Sequence, residues 1–159
     1  MPYPVASCAG VTAWNALMKG GRPIGAGSRV LVLGTGGVSM IALELARAAG
    51  AEVIATSSSD EKLERVKAMG AAHTVNYKDV PDWGAHVAKE FGGAHKVVEV
   101  GGVGTLPQSI AALASEGEIA LIGVLTDGEP PHPRALMMTG GSIRGIFVGS
   151  VAMAKELNA

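Results

Sequence analysis

The chain has 159 residues, close to the usual size of one domain, and 48% of them are apolar while only 4% are aromatic. Its 13 basic and 14 acidic residues give a formal net charge of −1, without the positive surplus that nucleic-acid binding requires. The sequence also lacks an apolar stretch of roughly 18 residues, as a membrane span would need, so we expect neither nucleic acid nor a membrane as a partner.

The first unit along the chain is a strand, a glycine-rich turn and a helix. A short helical lead over Thr12–Lys19 precedes it. The apolar run Val30–Leu33 predicts a buried strand, which ends abruptly at Gly34. The stretch Val38–Ala49 then predicts a helix with one apolar face, and this helix stops at Gly50.

The alternation of strand and helix continues through the rest of the sequence. Further strands are predicted at Val53–Thr56, His73–Asn76, Lys96–Val100, Ile119–Ile122 and Ile143–Val148. Helices are predicted at Ser58–Gly70, Pro81–Phe91 and Thr105–Gly117, with a loop at Thr126–Arg134, a helical turn at Ala135–Met138 and a last helix from near Ser150. Helices of this length carry the chain back across the sheet, so successive strands run parallel. We therefore expect an α/β Rossmann-type fold, a doubly wound parallel six-stranded sheet with helices on both faces.

Local signals mark several helix starts. Ser58 with Glu61, and Thr105 with Gln108, have the spacing of a capping box, in which the two side chains satisfy backbone amides. Pro81 is expected near the first turn of its helix, where proline is tolerated. We expect a single dinucleotide-binding domain over residues 1–159, with a lead-in segment at 1–27 and the Rossmann core at 28–159.

The turn Gly34–Ser39 occupies the place of the G-x-G-x-x-G fingerprint, with serine where the third glycine is usual. The match is weak alone, but it follows a buried strand and opens a helix. Gly34 permits a tight turn, Gly36 lets the backbone approach a diphosphate, and the helix start offers amides. We expect a diphosphate over Gly36, Gly37 and Val38. The alternative is a turn that merely connects strand and helix.

The end of the second strand discriminates between cofactors. Sites for NAD commonly carry an acidic residue there, about 20 residues after the glycines, whereas this sequence has Thr56–Ser59. Serine hydroxyls donate to a 2′-phosphate and Lys62 or Arg65 neutralises it, so we expect NADPH in preference to NADH. Asp60 argues the other way but lies in the expected first helical turn, where it serves the helix dipole. For the two cations the alternative is an ordinary solvated helix face.

Other catalytic signatures are missing. The sequence has no G-x-x-x-x-G-K-[ST] phosphate loop, and neither Tyr3 nor Tyr77 has lysine four places on, as a short-chain reductase would need. The histidines lie on separate predicted elements without metal-ligand spacing; they are His73, His86, His95 and His132. Cys8 is the only cysteine, which excludes an internal disulfide and leads us to expect a reducing, cytoplasmic compartment.

Five separated segments, in this order and spacing, resemble the medium-chain dehydrogenase/reductase superfamily, that is, the zinc-type alcohol dehydrogenases and their quinone-reductase relatives. They are Cys8–Trp14, Val30–Val38, Val97–Gly102, Leu121–Val124 and Gly145–Ser150. The resemblance covers essentially the whole chain. It implies that this part is the cofactor domain, and that a separate catalytic domain, mostly encoded before it, supplies most zinc ligands and the substrate pocket.

The resemblance also implies positions for the cofactor contacts. Thr12 would lie near the nicotinamide, and Gly36 to Val38 would lie at the diphosphate. The 2′-phosphate would be surrounded by Ser57, Lys62 and Tyr77, and the adenosine or ribose would lie beside Val100 and Gly101. The carboxamide would be contacted by the backbones of Gly123, Val124, Phe147 and Val148.

Cys8 resembles the one catalytic-zinc cysteine that this half contributes in zinc-dependent members. A tetrahedral site needs about three further ligands, so we expect no zinc in this chain; the alternative is a small buried cysteine. Family members often dimerise through the strand corresponding to residues 143–148, so we expect a homodimer through it.

These observations predict an NADP(H)-binding domain of a medium-chain alcohol, aldehyde or quinone oxidoreductase that transfers hydride. Met1-Pro-Tyr-Pro4 resembles a connecting segment and Ala159 falls within a predicted helix, so we expect a truncation that binds cofactor without turnover. The alternative is a free-standing, non-catalytic dinucleotide-sensing or interaction module. A methyltransferase is disfavoured, because no acidic residue follows the second strand.

Overall fold

The computed structural model describes residues 8–159. The strands are β1 (Arg29–Leu33), β2 (Glu52–Ser57), β3 (His73–Asn76), β4 (Ala94–Glu99), β5 (Leu113–Leu121) and β6 (Ser142–Gly145). The helices are α1 (Cys8–Met18), α2 (Gly37–Ala48), α3 (Asp60–Ala68), α4 (Trp83–Phe91), α5 (Leu106–Ala111), α6 (Pro133–Thr139) and α7 (Val151–Leu157). The part of the predicted lead-in before Cys8, with Tyr3, lies outside the described residues. None of the helices within 8–159 is long and apolar enough to cross a membrane.

All six strands are parallel and lie in the order β3-β2-β1-β4-β5-β6. Strand β1 lies in the middle of the sheet. Strands β2 and β3 follow on one side of it, and β4, β5 and β6 follow on the other side. This order confirms the predicted doubly wound Rossmann-type fold. The direction of winding reverses between β1 and β4, and in such sheets a crevice for ligands opens there, at the carboxyl ends of the strands.

Side chains of β1 alternate between the two faces of the sheet. Val30 and Val32 pack with residues of α1, α2 and α3 on one face, whereas Leu31 and Leu33 pack with residues of α4 and α5 on the other. Full burial of one such aliphatic side chain stabilises a fold by about 1.5–3 kcal/mol. The uninterrupted apolar run that predicted this strand therefore reflects burial on both faces.

Three charged side chains join β4, β5 and β6. Lys96 Nζ lies 2.5 Å from Glu118 Oε1, and Arg144 Nε donates to the same oxygen at 3.2 Å. The Gly21 amide donates to Glu118 Oε2 at 3.0 Å. Burial is the largest cause that lowers the pKa of Lys96, the charges of Arg144 and Arg22 lower it further, and Glu118 offsets these effects only in part. Burial alone would raise the pKa of Glu118, but its hydrogen bonds and the adjacent positive charges, Lys96 foremost, hold that pKa below its ordinary value.

Two helices begin later than the sequence signals predicted. The N-cap of α3 is Ser59, whose side chain accepts from the Lys62 amide at 3.4 Å. The predicted capping box of Ser58 and Glu61 is therefore wrong by one residue. Helix α4 begins at Trp83, so Pro81 precedes the helix instead of lying in its first turn.

The capping box predicted at Thr105 and Gln108 does not form. Thr105 Oγ1 donates to Glu99 Oε1 at 2.6 Å and makes no capping bond to α5. Gln108 Oε1 accepts from the Gly84 amide at 2.7 Å. Tertiary partners thus take both side chains away from the helix start that they would cap.

The boundaries of α5, β5 and β6 also differ from the prediction. Helix α5 ends at Ala111 instead of Gly117, and Leu113 already belongs to β5. Strand β6 ends at Gly145 instead of Val148. Val148 has a φ of +53°, in the left-handed region, and a strand cannot continue through that conformation.

Candidate functional site

The glycine turn lies at the carboxyl end of β1, beside the point where the winding reverses. Gly34 has a φ of +68°, which glycine adopts without strain, and its amide donates to the Thr56 carbonyl of β2 at 2.9 Å. The turn is thus tied to the neighbouring strand while it redirects the chain into α2.

The turn is open on its outer side. A Cβ built on Gly34, Gly36 or Gly37 would meet no atom within 4 Å, and Gly36 and Gly37 are exposed. Within residues 8–159, nothing accepts a hydrogen bond from the amides of Gly37, Val38 and Ser39. These amides belong to the first turn of α2, which lacks partners inside the helix and carries positive partial charge. The open turn and its amides fit a diphosphate.

Ser39 replaces the third glycine of the fingerprint and has a structural role. Its side chain is 1% exposed, and its Oγ donates to the Leu33 carbonyl at 2.7 Å. This bond fastens the start of α2 to the end of β1. The small serine therefore preserves the close contact of helix and strand for which glycine is usual.

A cavity of about 330 Å³ adjoins the turn. Four of the residues in its walls were predicted from the sequence to bind the cofactor: Gly34, Tyr77, Val100 and Gly101. The other six wall residues were not predicted as cofactor contacts: Leu33, Thr56, Trp83, Thr105, Leu125 and Thr126. The volume is in the range of small-molecule sites. Trp83 is an aromatic residue at a helix start in a chain with few aromatics, and this could have indicated from the sequence that Trp83 lines a binding cavity.

Glu99 organises one wall of this cavity, and the sequence prediction missed it. It is fully buried at the end of β4, and its Oε1 accepts from the amides of Gly101 at 2.8 Å and Gly102 at 3.1 Å. It also accepts from the hydroxyls of Thr105 and Ser109. Four donors thus hold the carboxylate, and the turn after β4 is fixed around it.

Beyond β2, the residues predicted for a 2′-phosphate lie in two environments. Ser57 is 4% exposed and its Oγ accepts from the Ser59 amide at 3.4 Å. Lys62 and Arg65 are exposed and line a second cavity of about 430 Å³, whose walls also include Thr35 of the glycine turn, Met40, Val66 and Met69. Two cations therefore stand beside the turn.

Asp60, the residue that argues against a 2′-phosphate, has a partner of its own. Its Oδ1 accepts from Asn76 Nδ2 at 2.7 Å, and it lies in the first turn of α3. The carboxylate thus links the start of α3 to the end of β3.

The residues predicted for the carboxamide follow the carboxyl ends of β5 and β6. The side chain of Val124 is 91% exposed and that of Phe147 is 96% exposed. A Cβ on Gly123 would collide with the Val100 carbonyl, so the ends of β4 and β5 touch there. These residues share the edge of the sheet with the glycine turn but line neither of the two cavities.

A family model described as zinc-binding dehydrogenase matches residues 37–159. The chain belongs to this family. It is 51% identical to a zinc-type alcohol dehydrogenase-like protein of Schizosaccharomyces pombe, over 96% of this chain and 46% of the relative. The predicted membership of the medium-chain dehydrogenase/reductase superfamily is thereby confirmed.

Solved structures agree in fold. A Sinorhizobium meliloti protein assigned as an alcohol dehydrogenase matches with a TM-score of 0.86 and 43% identity, over 97% of this chain and 45% of that one. An NAD-dependent alcohol dehydrogenase matches with a TM-score of 0.83 and 34% identity, over 95% and 45%. The chain thus spans less than half the length of these relatives.

The name of the zinc-binding dehydrogenase family implies a metal, but the described residues do not fit one. Cys8 is exposed at the start of α1, and this contradicts the alternative that Cys8 is a small buried cysteine. Among residues 8–159 no three His, Cys, Asp or Glu side chains are grouped so that they could hold a metal ion. Thr12, one turn along, is 4% exposed and donates to the Cys8 carbonyl at 2.7 Å.

Proposed function

We propose that this chain is the NADP(H)-binding domain of a medium-chain alcohol, aldehyde or quinone oxidoreductase. The observation that carries the proposal is the open glycine turn at the winding reversal, where no group of residues 8–159 accepts from the amides of Gly37 and Val38 and a cavity of about 330 Å³ adjoins Gly34. The nicotinamide coenzyme supplies hydride chemistry when bound. The residues of this chain bind and orient it.

The diphosphate lies over Gly36, Gly37 and Val38, where a side chain would intrude. The adenosine half extends into the cavity lined by Tyr77, Val100 and its neighbours. The cavity is large enough for a base and part of a ribose but not for a whole dinucleotide. The nicotinamide half therefore runs along the carboxyl edge of the sheet toward β5 and β6.

The preference for NADPH rests on the end of β2. Thr56–Ser59 contains hydroxyls and no carboxylate, and Lys62 and Arg65 stand beside the turn. A doubly charged 2′-phosphate gains charge-assisted hydrogen bonds from such groups. A 34% identical relative of known structure is an NAD-dependent alcohol dehydrogenase, so family membership by itself does not determine which dinucleotide this chain prefers.

The domain is proposed to comprise residues 1–159, and the substrate site of the whole enzyme is assigned to a further catalytic domain. The chain covers 46% of the length of its Schizosaccharomyces pombe relative. Accordingly, the chain alone binds the cofactor but does not turn over an alcohol, an aldehyde or a quinone.

Titration calorimetry of the purified chain with NADPH and NADH tests the proposal. We expect both to bind, with NADPH about tenfold tighter, which corresponds to about 1.4 kcal/mol. Equal affinities would remove the NADP preference alone. Failure of both dinucleotides to bind would overturn the proposed function, and alcohol oxidation by the chain alone would overturn the need for a second domain.

We also propose a homodimer through residues 143–148. Strand β6 pairs only with β5 and forms one edge of the sheet, which leaves its outer backbone groups available for pairing with a second copy. Sedimentation velocity over a concentration series tests this. A monomer at every concentration would overturn it.

A further inference from the structure

Val148 has a strained backbone. Its φ of +53° lies in the left-handed region, which a β-branched residue seldom adopts, and Glu116 is the one other non-glycine residue of the described chain with positive φ. Such a conformation is energetically unfavourable and persists only where the surroundings impose it. Some contact must therefore hold Val148 in place.

The side chain of Asn15 on α1 supplies this contact. Its Nδ2 donates to the Val148 carbonyl at 2.9 Å, and the side chain is 8% exposed. Its Oδ1 accepts from Arg144 Nη1 at 2.9 Å. Because a guanidinium can only donate, the amide oxygen must face Arg144 and the amide nitrogen must face Val148. The hydrogen-bond chemistry thus fixes which way the amide points.

Arg144 is held in turn from two sides. Its Nε donates to Glu118, and its Nη2 donates to the carbonyls of Asn15 at 2.7 Å and Lys19 at 3.0 Å, at the end of α1. The buried ionic network of Lys96, Glu118 and Arg144 therefore continues through Asn15 to the backbone of Val148.

Val148 lies at the carboxyl edge of the sheet, which is the edge at which doubly wound folds bind ligands. The segment that contains it follows the carboxyl end of β6, and ligands of doubly wound sheets bind outside the carboxyl ends of the strands. Ile146 is buried and its amide donates to the Leu121 carbonyl at 2.8 Å, whereas the side chain of Phe147 is 96% exposed. The chain thus leaves the sheet at this point and forms an open rim beside the proposed cofactor path.

We propose that Asn15 is a positioning residue that sets the backbone of Val148 for the nicotinamide half of the dinucleotide. This inference rests on the proposed function. A rim that is already fixed in the free protein need not be ordered when the cofactor binds, so more of the contact energy appears as affinity. The strain at Val148 is then part of the binding site.

Asn15→Asp tests the proposal, because aspartate keeps the oxygen that accepts from Arg144 and loses the nitrogen that donates to Val148. The probes are NADPH and 2′-phospho-ADP-ribose, which lacks the nicotinamide ring and keeps the rest. We expect calorimetry to show NADPH binding weakened about tenfold and 2′-phospho-ADP-ribose binding changed less than about twofold. Binding of the second probe also reports that the variant is folded.

Asn158→Asp is the matched control, since Asn158 Nδ2 also donates to a backbone carbonyl, that of Ala154, but Asn158 is exposed and lies just after the last residue of α7. It should alter neither affinity. If Asn15→Asp weakens both probes equally, or neither, the positioning role is refuted while the proposed function stands. If the unaltered chain binds neither probe, the proposed function fails and this inference fails with it.

Discussion

Lys96 Nζ and Glu118 Oε1 lie 2.5 Å apart, with the two side chains 0% and 4% exposed, at neighbouring positions of β4 and β5. Taking charges out of water is costly, and only a partner at close range offsets the cost. Arg144 and the Gly21 amide complete the set of donors to the carboxylate. The outer half of the sheet therefore depends on one buried carboxylate.

Replacement of that carboxylate should be among the most damaging single changes in the chain. Glu118→Gln leaves two cations beside a neutral amide, and we expect the free energy of unfolding to fall by about 3 kcal/mol or more. Urea denaturation measures the loss. Glu64→Gln on the exposed surface of α3 is the control and should change stability by less than about 0.5 kcal/mol. A loss of the same small size for Glu118→Gln would contradict a structural role for the network.

The same carboxyl gives stability a dependence on acid pH. The pKa of Glu118 is lower in the folded chain than its ordinary value, which applies when the chain is unfolded. Its contribution is therefore fully present above the unfolded-state pKa and is lost as pH falls through the folded-state pKa. Urea midpoints measured downward from neutral pH should fall in that acidic range. In Glu118→Gln the decline should be shallower, and an unchanged slope would contradict the assignment.

The glycines of the turn should separate stability from binding. Gly34→Ala places an L residue at a φ of +68°, and we expect a loss of about 1–2 kcal/mol in stability. Gly36 has a φ of −75°, which alanine adopts without strain, so Gly36→Ala should be about as stable as the original chain. Its Cβ enters the space proposed for the diphosphate, and NADPH affinity should fall about tenfold or more.

Gly25→Ala is the control for these variants, because a Cβ there also meets no atom within 4 Å but lies before β1, away from the turn. Calorimetry measures the NADPH affinity of the three variants and urea denaturation measures their stability. Undiminished NADPH affinity in Gly36→Ala would place the diphosphate elsewhere.

Lys62 should matter for NADPH alone. Lys62→Ala removes a cation that lines the cavity beside the glycine turn, and we expect about a tenfold loss of NADPH affinity with NADH affinity unchanged. Lys67→Ala, on the same helix and also exposed, is the matched control and should change neither the NADPH nor the NADH affinity. Equal losses of NADPH and NADH affinity would mean that Lys62 interacts with the diphosphate, or that its removal only disturbs the helix.

Some of the site could be predicted because it follows from short-range signals. The turn at Gly34 and Gly36 was identified from glycine spacing between a buried strand and a helix, and Tyr77 and Val100 from a family resemblance. The structure brings Gly34, Tyr77 and Val100 together around one cavity. Glu99 escaped prediction, since a charged residue at the end of a strand gives no sign that four donors will surround it.

The sequence alone predicts the alternation of strands and helices, the parallel doubly wound sheet and the position of the glycine turn. These features follow from the period of apolar residues and from backbone sterics, which act over a few neighbouring positions. Two other features depend on tertiary contacts: Thr105 bonds to Glu99 instead of capping α5, and Asn15 holds Val148 in a left-handed conformation beyond the end of β6. Asn15 and Val148 are 133 positions apart, and they meet only because the register of the sheet and the packing of α1 against it bring them together.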